Sequence, residues 1–281
     1  MNAQVPEPQP QNQLSVLRFP SLLHIDGLSH AITTRHGGSS TRSYESLNLG
    51  FHVDDDKNRV RENREIAARN LDFNATSVVA MQQTHSANVQ IVTNNEAGRG
   101  ALDWQSAIHN TDALLTIETN LPLLVLIADC APMLMVDLEH RVLAVVHAGW
   151  RGAVARVASK TLQQMTDVFD TKPENVRVGI GPCLCARCFE VGPEVVAAAN
   201  VIAPRAVVQT SQTRNSLDDD VNKSCLDLRE LLREDLTQHR VLDAHIEVMP
   251  NCPRCEVERF FSYRGERVAT GRFGLYAWWN S

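Results

Sequence analysis

Three apolar runs dominate the pattern of hydrophobic and polar positions in the middle of the chain. The first run, residues 121–128, is too short for a typical helix but suits a strand buried on both faces. The second and third runs, residues 133–136 and 142–146, flank a polar corner at residues 137–140. Two short apolar runs around such a corner predict a β-hairpin.

The predicted hairpin brings a cysteine close to a histidine. If the turn centres near Glu139, counting outward places His147 opposite Cys130 or Ala131, and directly opposed residues have Cβ atoms about 4.5–5.5 Å apart. His85 follows a further apolar segment, at what we interpret as another strand end. Two imidazoles and a thiolate, with a fourth position for water or substrate, match a catalytic zinc site. The alternative is a buried thiol beside ordinary strand-end histidines.

Helical and strand-like spacing continues on both sides of this region. Apolar positions recur at three- and four-residue steps in residues 60–71, from residue 149 through 169, and in residues 193–199 and 226–236. Residues 176–180 alternate as a half-buried strand. Residues 1–13 form a polar, proline-containing segment that we expect to be a mobile tail, and residues 210–222 read as a polar loop.

Several arginines occupy positions suited to an anion. Arg35 lies in a loop with adjacent glycines, whose amides can approach a ligand closely. Arg64 falls on a predicted helix and can face inward, and Arg151 follows a predicted strand-to-helix junction. We take these three as candidate substrate or phosphate ligands. Arg264 and Arg272 reach a substrate if the C-terminal segment forms a hairpin.

Composition narrows the class of protein. The 281 residues include 27 basic and 33 acidic side chains, a formal net charge of −6. Neither this balance nor any basic run suggests a nucleic-acid surface. No segment approaches the roughly 18 apolar residues of a membrane span, and the first twenty residues do not resemble a signal peptide. We therefore expect a cytoplasmic protein without a signal peptide, and the oligomeric state stays open.

Seven cysteines in such a chain indicate thiols or metal ligands more than a disulfide framework. Cys183, Cys185 and Cys188 lie close together, and Cys252 and Cys255 form a C-x-x-C pair. A second zinc site would have to combine the two clusters. Because their separation does not match the usual zinc-knuckle spacing, we expect buried thiols with a structural role and no second metal ion.

Several motifs in consistent order resemble the polyphenol-oxidase (laccase-domain) family of purine nucleoside phosphorylases. The similarity covers roughly residues 20–279. The motifs are Thr33-Thr-Arg-His-Gly-Gly-Ser, Gln82-Gln-Thr-His-Ser-Ala-Asn-Val, Ala128-Asp-Cys-Ala-Pro, His147-Ala-Gly-Trp-Arg-Gly, Gly179-Ile-Gly-Pro-Cys and Phe260-Phe-Ser-Tyr-Arg followed by Thr270-Gly-Arg.

The resemblance implies an α/β fold, a single domain of mixed β-sheets flanked by helices in a layered α/β sandwich, over residues 14–281. It implies zinc held by His85, Cys130 and His147. It also implies phosphorolysis of adenosine, inosine, guanosine and S-methyl-5′-thioadenosine, with inorganic phosphate as co-substrate, and deamination of adenosine.

Three other functions fit part of the sequence. Copper-dependent phenol oxidation is the older family label, although multicopper oxidases need paired His-x-His motifs and none occurs in this chain. Cys130 with His147 as its base suits an amidase, which connects with the peptidoglycan-editing role attached to some bacterial members. A non-catalytic, zinc-stabilised interaction module is the third possibility.

Overall fold

The computed structural model describes residues 14–210, 223–266 and 269–281. The tail expected over residues 1–13 and most of the loop expected over residues 210–222 lie outside these ranges. The helices of the described residues are α1 (Lys57–Leu71), α2 (Trp150–Val154), α3 (Val157–Phe169), α4 (Pro193–Asn200), α5 (Leu228–Gln238) and α6 (Tyr263–Glu266). The strands are β1 (Val16–Leu17), β2 (Leu28–Thr33), β3 (Val79–Ala80), β4 (Val89–Ile91), β5 (Ala113–Thr116), β6 (Leu123–Ile127), β7 (Ala131–Asp137), β8 (Val142–Ala148), β9 (Arg177–Ile180), β10 (Val207–Thr210), β11 (Lys223–Leu226), β12 (Ile246–Val248) and β13 (Phe273–Trp279).

Two large mixed sheets form the framework. One has the strand order β1-β2-β13-β6-β3 and the other has the order β12-β9-β7-β8-β5-β4. In the first sheet β3 runs parallel to β6, and in the second β12 runs parallel to β9 while β7 and β8 are antiparallel. Strands β10 and β11 form a separate two-stranded sheet.

The two sheets pack face to face across a central hydrophobic layer. Leu143 and Val145 of β8 belong to this layer together with Leu123 and Val125 of β6. The intervening β8 side chains pack with α3 and α5 on the opposite face, because successive side chains of a strand point to opposite sides. The outer face of the five-stranded sheet packs with α1. The layers run helix, sheet, sheet, helix, which confirms the predicted α/β class.

Helix α1 confirms the helical spacing of residues 60–71, and its ends have clear chemical causes. The carboxylate of Asp56 accepts a hydrogen bond of 2.8 Å from the amide of Asn58, as expected of an N-cap. Asp72 ends the helix in the left-handed conformation, with φ of 61°. No helix of the described residues is both long and apolar enough to cross a membrane.

The hairpin of β7 and β8 is confirmed, but its register differs from the predicted spacings. His147 lies opposite Pro132, so the turn is centred between Glu139 and His140. The carboxylate of Asp137 accepts hydrogen bonds from the amides of Glu139 and His140, at 2.9 and 3.4 Å. This side-chain cap fixes a turn centred half a residue to one residue later than the hydrophobic pattern alone suggested.

Two other local predictions are wrong. The continuous helix expected after Gly149 is divided into α2 and α3, because Arg156 adopts the left-handed conformation with φ of 62°. The C-terminal segment carrying Arg264 and Arg272 is not a hairpin: Arg264 lies in α6, and Arg272 directly precedes β13. Strand β13 pairs instead with β2 and β6 in the middle of the five-stranded sheet.

Candidate metal centre and pocket

The fold brings His85, Cys130 and His147 together at one end of the space between the two sheets. One donor atom from each residue lies within 4.8 Å of the donors of the other two. The two imidazole rings meet edge to face, with ring centroids 4.9 Å apart. Cys130 immediately precedes β7 and His147 lies near the end of β8, so the hairpin delivers two of the three donors.

Asp112 connects the two histidines. Its carboxylate Oδ1 lies 2.8 Å from Nδ1 of His147, and the same oxygen accepts a hydrogen bond of 3.1 Å from the backbone amide of His85. Oδ2 accepts hydrogen bonds of 2.7 and 2.6 Å from the amide and hydroxyl of Ser86. With Nδ1 of His147 engaged, Nε2 remains for a metal ion, which is the usual carboxylate–histidine–metal arrangement.

The charges of the site are strongly coupled. Burial alone would raise the pKa of the Cys130 thiol, but His147 and His85 outweigh burial and lower that pKa to about 6. Burial alone would lower the pKa of His147, but Cys130 and Asp112 raise it to about 9. The pKa of Asp112 falls to about 2, because hydrogen bonds from His147 and Ser86 outweigh its burial. At neutral pH these pKa values correspond to a Cys130 thiolate and an Asp112 carboxylate around a protonated His147. A divalent cation would replace that proton and be stabilised by the same negative groups.

Gly149 keeps the space between the donors open. A Cβ atom at this position would lie 2.6 Å from Cδ2 of His85 and 3.0 Å from Sγ of Cys130. Continuing the register of β7 and β8 by one residue sets Gly149 opposite Cys130. The donor set, the Asp112 support and the cradle at Gly149 all fit a metal ion of the zinc or copper type.

The three donors line a pocket of about 430 Å³. Its apolar wall includes Leu126, Trp150, Leu184 and Phe189, and Tyr263 lies on the same pocket. A second cavity of about 500 Å³ shares Tyr263 with it, together with two arginines. This volume and mixed lining are typical of a site for a small molecule.

Three arginines line the pocket of the metal centre: Arg151, Arg264 and Arg272. Arg151 is exposed and stacks its guanidinium 4.4 Å from the ring centroid of Trp150. The backbone amide of Arg264 donates to the carboxylate of Asp129, the residue before Cys130, at 2.6 Å. Arg272 donates through Nη1 to the carbonyl oxygens of Thr270 and Gly271, each at 2.9 Å.

The structure does not bring Arg35 to this pocket. Its guanidinium donates to the carbonyl oxygens of Glu45 and Val257, at 2.9 and 2.6 Å, and pairs with the carboxylate of Glu266 at 3.1 Å. It also lies over the ring of Phe261, 4.6 Å from the centroid. These contacts hold loops together, and Arg35 is not among the residues that line the pocket.

Arg64 also forms its contacts within the protein and away from the pocket. It is buried on α1 and donates to the carbonyl oxygens of Leu49, Gly100 and Ala101. Burial lowers its pKa to about 10, and the ring of Phe51 lies 4.6 Å from its guanidinium carbon. The inward orientation considered from the sequence is present, but it serves packing and leaves this guanidinium outside the pocket lining.

Sequence reasoning missed Asp112, His52 and Asp129. Asp112 stands immediately before the apolar β5, and its pairing with His147 depends on the adjacency of β5 and β8, which the sequence does not reveal. His52 lines the pocket and is exposed to solvent there, and desolvation by the surrounding pocket walls and the nearby positive charge of Arg272 lower its pKa to about 3. Asp129 belongs to the recognised Ala-Asp-Cys motif, so its neighbour Cys130 was the available signal.

Comparison with known proteins identifies relatives along most of the chain. A family model described as "Multi-copper polyphenol oxidoreductase laccase" matches residues 29–280. The "Purine nucleoside phosphorylase YlmD" of Bacillus subtilis (strain 168) is 33% identical over 240 residues, covering 85% of this chain and 84% of that protein. "Adenosine deaminase RL5" of an unknown prokaryotic organism is 32% identical over 257 residues, covering 90% and 95% respectively.

Solved structures show the same architecture. YlmD from Geobacillus stearothermophilus superposes with a TM-score of 0.86 at 31% sequence identity, covering 98% of each chain. The Bacillus licheniformis hypothetical protein YfiH superposes with a TM-score of 0.85 at 28% identity, covering 92% of this chain and 94% of its own. The match over residues 29–280 and the relatives above 30% identity show that the chain belongs to the multi-copper polyphenol oxidoreductase laccase family.

Proposed function

We propose that this protein is a zinc-dependent purine nucleoside phosphorylase that also deaminates adenosine. Its substrates would be adenosine, inosine, guanosine and S-methyl-5′-thioadenosine. The observation that carries the proposal is a single pocket that combines the His85, Cys130 and His147 donors with three arginines and an apolar wall. Relatives named purine nucleoside phosphorylase and adenosine deaminase support this combination of activities.

The arginines would supply the phosphate subsite. In phosphorolysis a phosphate oxygen bonds to C1′ of the ribose as the bond from C1′ to the purine nitrogen breaks, and a proton passes to the departing purine. Arg151, Arg264 and Arg272 line the pocket. Charge-assisted hydrogen bonds from guanidinium groups orient phosphate and offset its negative charge. Of the three arginines predicted from the sequence, Arg151 is the best single target, because it lines the pocket and its side chain is exposed.

The apolar wall would hold the purine ring. Phe189 and Trp150 offer aromatic faces, and Leu126 and Leu184 complete an apolar surface in the same pocket. Flat heteroaromatic rings bind well to such surfaces, and a few polar groups then fix their orientation. His52, kept neutral by its lowered pKa, and Gln83 are polar groups of the pocket that can provide this orientation.

His85, Cys130 and His147 would hold the zinc ion, with Asp112 fixing the imidazole of His147. When bound, zinc supplies a Lewis acid that lowers the pKa of a coordinated water to about 7 in favourable sites. Deamination consumes water and phosphorolysis consumes phosphate, so one pocket can support both reactions. The seven thiols of the chain are typical of a reducing compartment, which supports a cytoplasmic location.

A nucleoside panel assayed with and without phosphate tests the proposal. Phosphorolysis should release ribose 1-phosphate from inosine only when phosphate is present, and deamination should convert adenosine to inosine in either case. Replacing His85, Cys130 or His147 with Ala should remove the zinc ion of this pocket and both activities. Absence of phosphate-dependent base release from all four nucleosides would contradict the phosphorylase proposal.

One observation favours a second function. The lowered pKa of Cys130, with His147 and Asp112 beside it, is also the arrangement of a cysteine nucleophile with its base and orienting carboxylate. An amidase of this type would work without metal and would be inactivated by alkylation of Cys130. Retention of amide hydrolysis after complete metal removal would favour this candidate over the phosphorylase.

Copper-dependent phenol oxidation is tested with the same preparations. Two imidazoles and one thiolate also suit copper, and the family description names a multi-copper oxidoreductase. Oxygen consumption with a phenol by the copper-loaded protein, and not by the zinc-loaded protein, would identify that activity.

A further inference from the structure

A second group of four sulfur atoms lies outside the metal centre described above. Cys185 and Cys188 form one C-x-x-C pair after β9, and Cys252 and Cys255 form another after β12. Strands β9 and β12 are adjacent and parallel, with Ile180 paired to Val248. The loops that follow two adjacent parallel strands leave the sheet at the same edge, which explains how pairs so distant in sequence meet.

The geometry of the four sulfurs matches a tetrahedral metal site. All four Sγ atoms lie within 4.8 Å of one another. Sγ of Cys255 is 3.4 Å from Sγ of Cys188 and 3.9 Å from Sγ of Cys185. With zinc–sulfur bonds of about 2.3 Å, tetrahedral ligands would be separated by about 3.8 Å.

Both C-x-x-C pairs form the same kind of backbone turn. The amide of Cys188 donates to the carbonyl oxygen of Cys185 at 2.9 Å, and the amide of Cys255 donates to that of Cys252 at 3.0 Å. In addition, the amide of Cys185 donates to Sγ of Cys252 at 3.3 Å. Tight turns thus direct both thiols of each pair to one point, and an amide donor stabilises negative charge on sulfur.

Burial argues against a simple hydrophobic role for three of the four cysteines, while Cys252 is buried. Cys255 is exposed, and Cys185 and Cys188 are only partly buried, whereas the nearby Cys183 is fully buried and is not part of the group. Two guanidinium groups donate to the backbone of these loops: Arg229 to the carbonyl of Cys183, at 2.9 Å, and Arg254 to that of Cys188, at 3.2 Å. Four thiolates around a divalent cation carry a net charge of about −2, and these arginines offset part of it.

We propose that Cys185, Cys188, Cys252 and Cys255 bind a structural zinc ion that fixes one wall of the pocket. This reverses the sequence-based expectation of thiols without metal. The expectation overlooked that Cys185 and Cys188 are themselves a C-x-x-C pair, so the chain contains two such pairs. A closed site with four protein donors leaves no position for substrate and is typical of structural zinc.

The site would order two segments that contribute to the pocket. Leu184 and Phe189, on either side of the first pair, line the pocket. The second pair precedes α6, which contributes Tyr263 and Arg264. Nη1 of Arg264 donates to the carbonyl oxygen of Glu190 at 3.3 Å and so joins the two segments. The proposal does not depend on the reaction that the pocket catalyses.

Metal analysis of protein reconstituted with zinc under reducing conditions tests the site. Wild type should hold two zinc ions per chain, and the variant His85→Ala/His147→Ala should keep one. The variant Cys185→Ser/Cys255→Ser should lose one zinc per chain and unfold at a lower temperature, because metal that binds only the folded state stabilises it. Cys183→Ala is the matched control in the same loop, and it should keep both zinc ions.

Two measurements on chains with all four cysteines intact keep the test independent of the folding of cysteine variants. In the His85→Ala/His147→Ala variant, bound cobalt should show sulfur-to-metal charge-transfer absorption with the intensity of four thiolates, whereas a His-Cys-His site contributes one. In wild type, zinc removal should expose Cys255 and its three partners to alkylation. No metal in the histidine variant, iron in place of zinc, or equal alkylation of Cys255 with and without zinc would each overturn the proposal.

Discussion

At the scale of single residues, the metal centre depends on neighbours that donate no ligand themselves. Asp112 accepts hydrogen bonds from the ring of one histidine and from the backbone amide of the other. Gly149 contributes only the absence of a side chain. Neither residue is itself a ligand, so substituting it tests how the donors are supported while the three ligands stay unchanged.

Replacing Asp112 with Asn should weaken zinc binding while preserving the shape of the side chain. The amide carries no negative charge and is a poorer acceptor for Nδ1 of His147, and loss of such supporting groups typically lowers metal affinity by about 10- to 100-fold. Competition with a chelator measures the affinity. Asp167→Asn, an exposed change on α3, is the control. Unchanged affinity in the Asp112 variant would show that the hydrogen bond does not support the metal.

Gly149→Ala should reduce zinc content without unfolding the protein. The glycine has φ of −79° and ψ of 170°, which alanine also adopts, so the effect should come from contact of the new methyl group with His85 and Cys130. Gly192→Ala is a matched control, because Gly192 precedes α4 with nearly the same angles and its Cβ would meet only the flexible carboxylate of Glu194. Full zinc occupancy in the Gly149 variant would contradict the steric role.

The positions of the arginines in the structure could not be predicted from residue type alone. Arg35, Arg64 and Arg151 are all candidates in the sequence, with Arg151 at the best-suited junction, and of the three only Arg151 lines the pocket. The other two guanidinium groups satisfy carbonyl oxygens of loops that are distant in sequence. The destination of a long cationic side chain depends on which unpaired carbonyls the fold places within its reach, and this is a tertiary property.

At the scale of elements, the hairpin of β7 and β8 was predictable because apolar runs and a polar corner define it locally. The register of the hairpin was not predictable, because hydrogen bonds to the carboxylate of Asp137 determine which residues form the turn. Asp137 also accepts a hydrogen bond of 2.6 Å from Thr171 and contacts the ring of His140 at 2.8 Å. The apolar spacing also did not indicate that the following helix divides at Arg156.

The hairpin corner gives a pH-dependent prediction. Burial alone would raise the pKa of Asp137, but hydrogen bonds from Thr171, His140 and the turn amides hold it below its usual value. A lowered pKa in the folded state adds stability above the unfolded pKa, and this stability is lost as the pH falls through the folded pKa.

Asp137→Asn should therefore destabilise the metal-free protein at neutral pH by about 2 kcal/mol, the typical worth of hydrogen bonds to a charged group. The difference from wild type should shrink as the solution is acidified below the ordinary range of an aspartate. Urea unfolding at several pH values measures it. A difference that stays constant down to strongly acidic pH would mean that the charge of Asp137 does not stabilise the turn.

At the scale of the whole molecule, the site assembles at one end of the space between two sheets. His85 follows β3, Asp112 precedes β5, and Cys130 and His147 belong to the hairpin. The ordered motifs allowed the family and the α/β class to be predicted from the sequence. The contact between β5 and β8, and the adjacency of the loops after β9 and β12, depend on sheet order, which local patterns do not encode. Asp112 was missed for this reason, and the two cysteine pairs were not expected to meet.

The phosphate dependence of nucleoside cleavage, compared between wild type and Arg151→Ala, tests the central claim most directly. Ribose 1-phosphate release from inosine is measured against phosphate concentration, beside inosine formation from adenosine in the same preparations. Loss of one charge-assisted contact, worth roughly 1.5–3 kcal/mol, should raise the phosphate requirement about ten- to a hundredfold. Deamination should change less, because it uses water, and Arg69→Ala on the exposed side of α1 should leave both reactions unchanged. Equal losses in both reactions would show that Arg151 does not hold phosphate, and no phosphate-dependent release by zinc-loaded wild type would contradict the account itself.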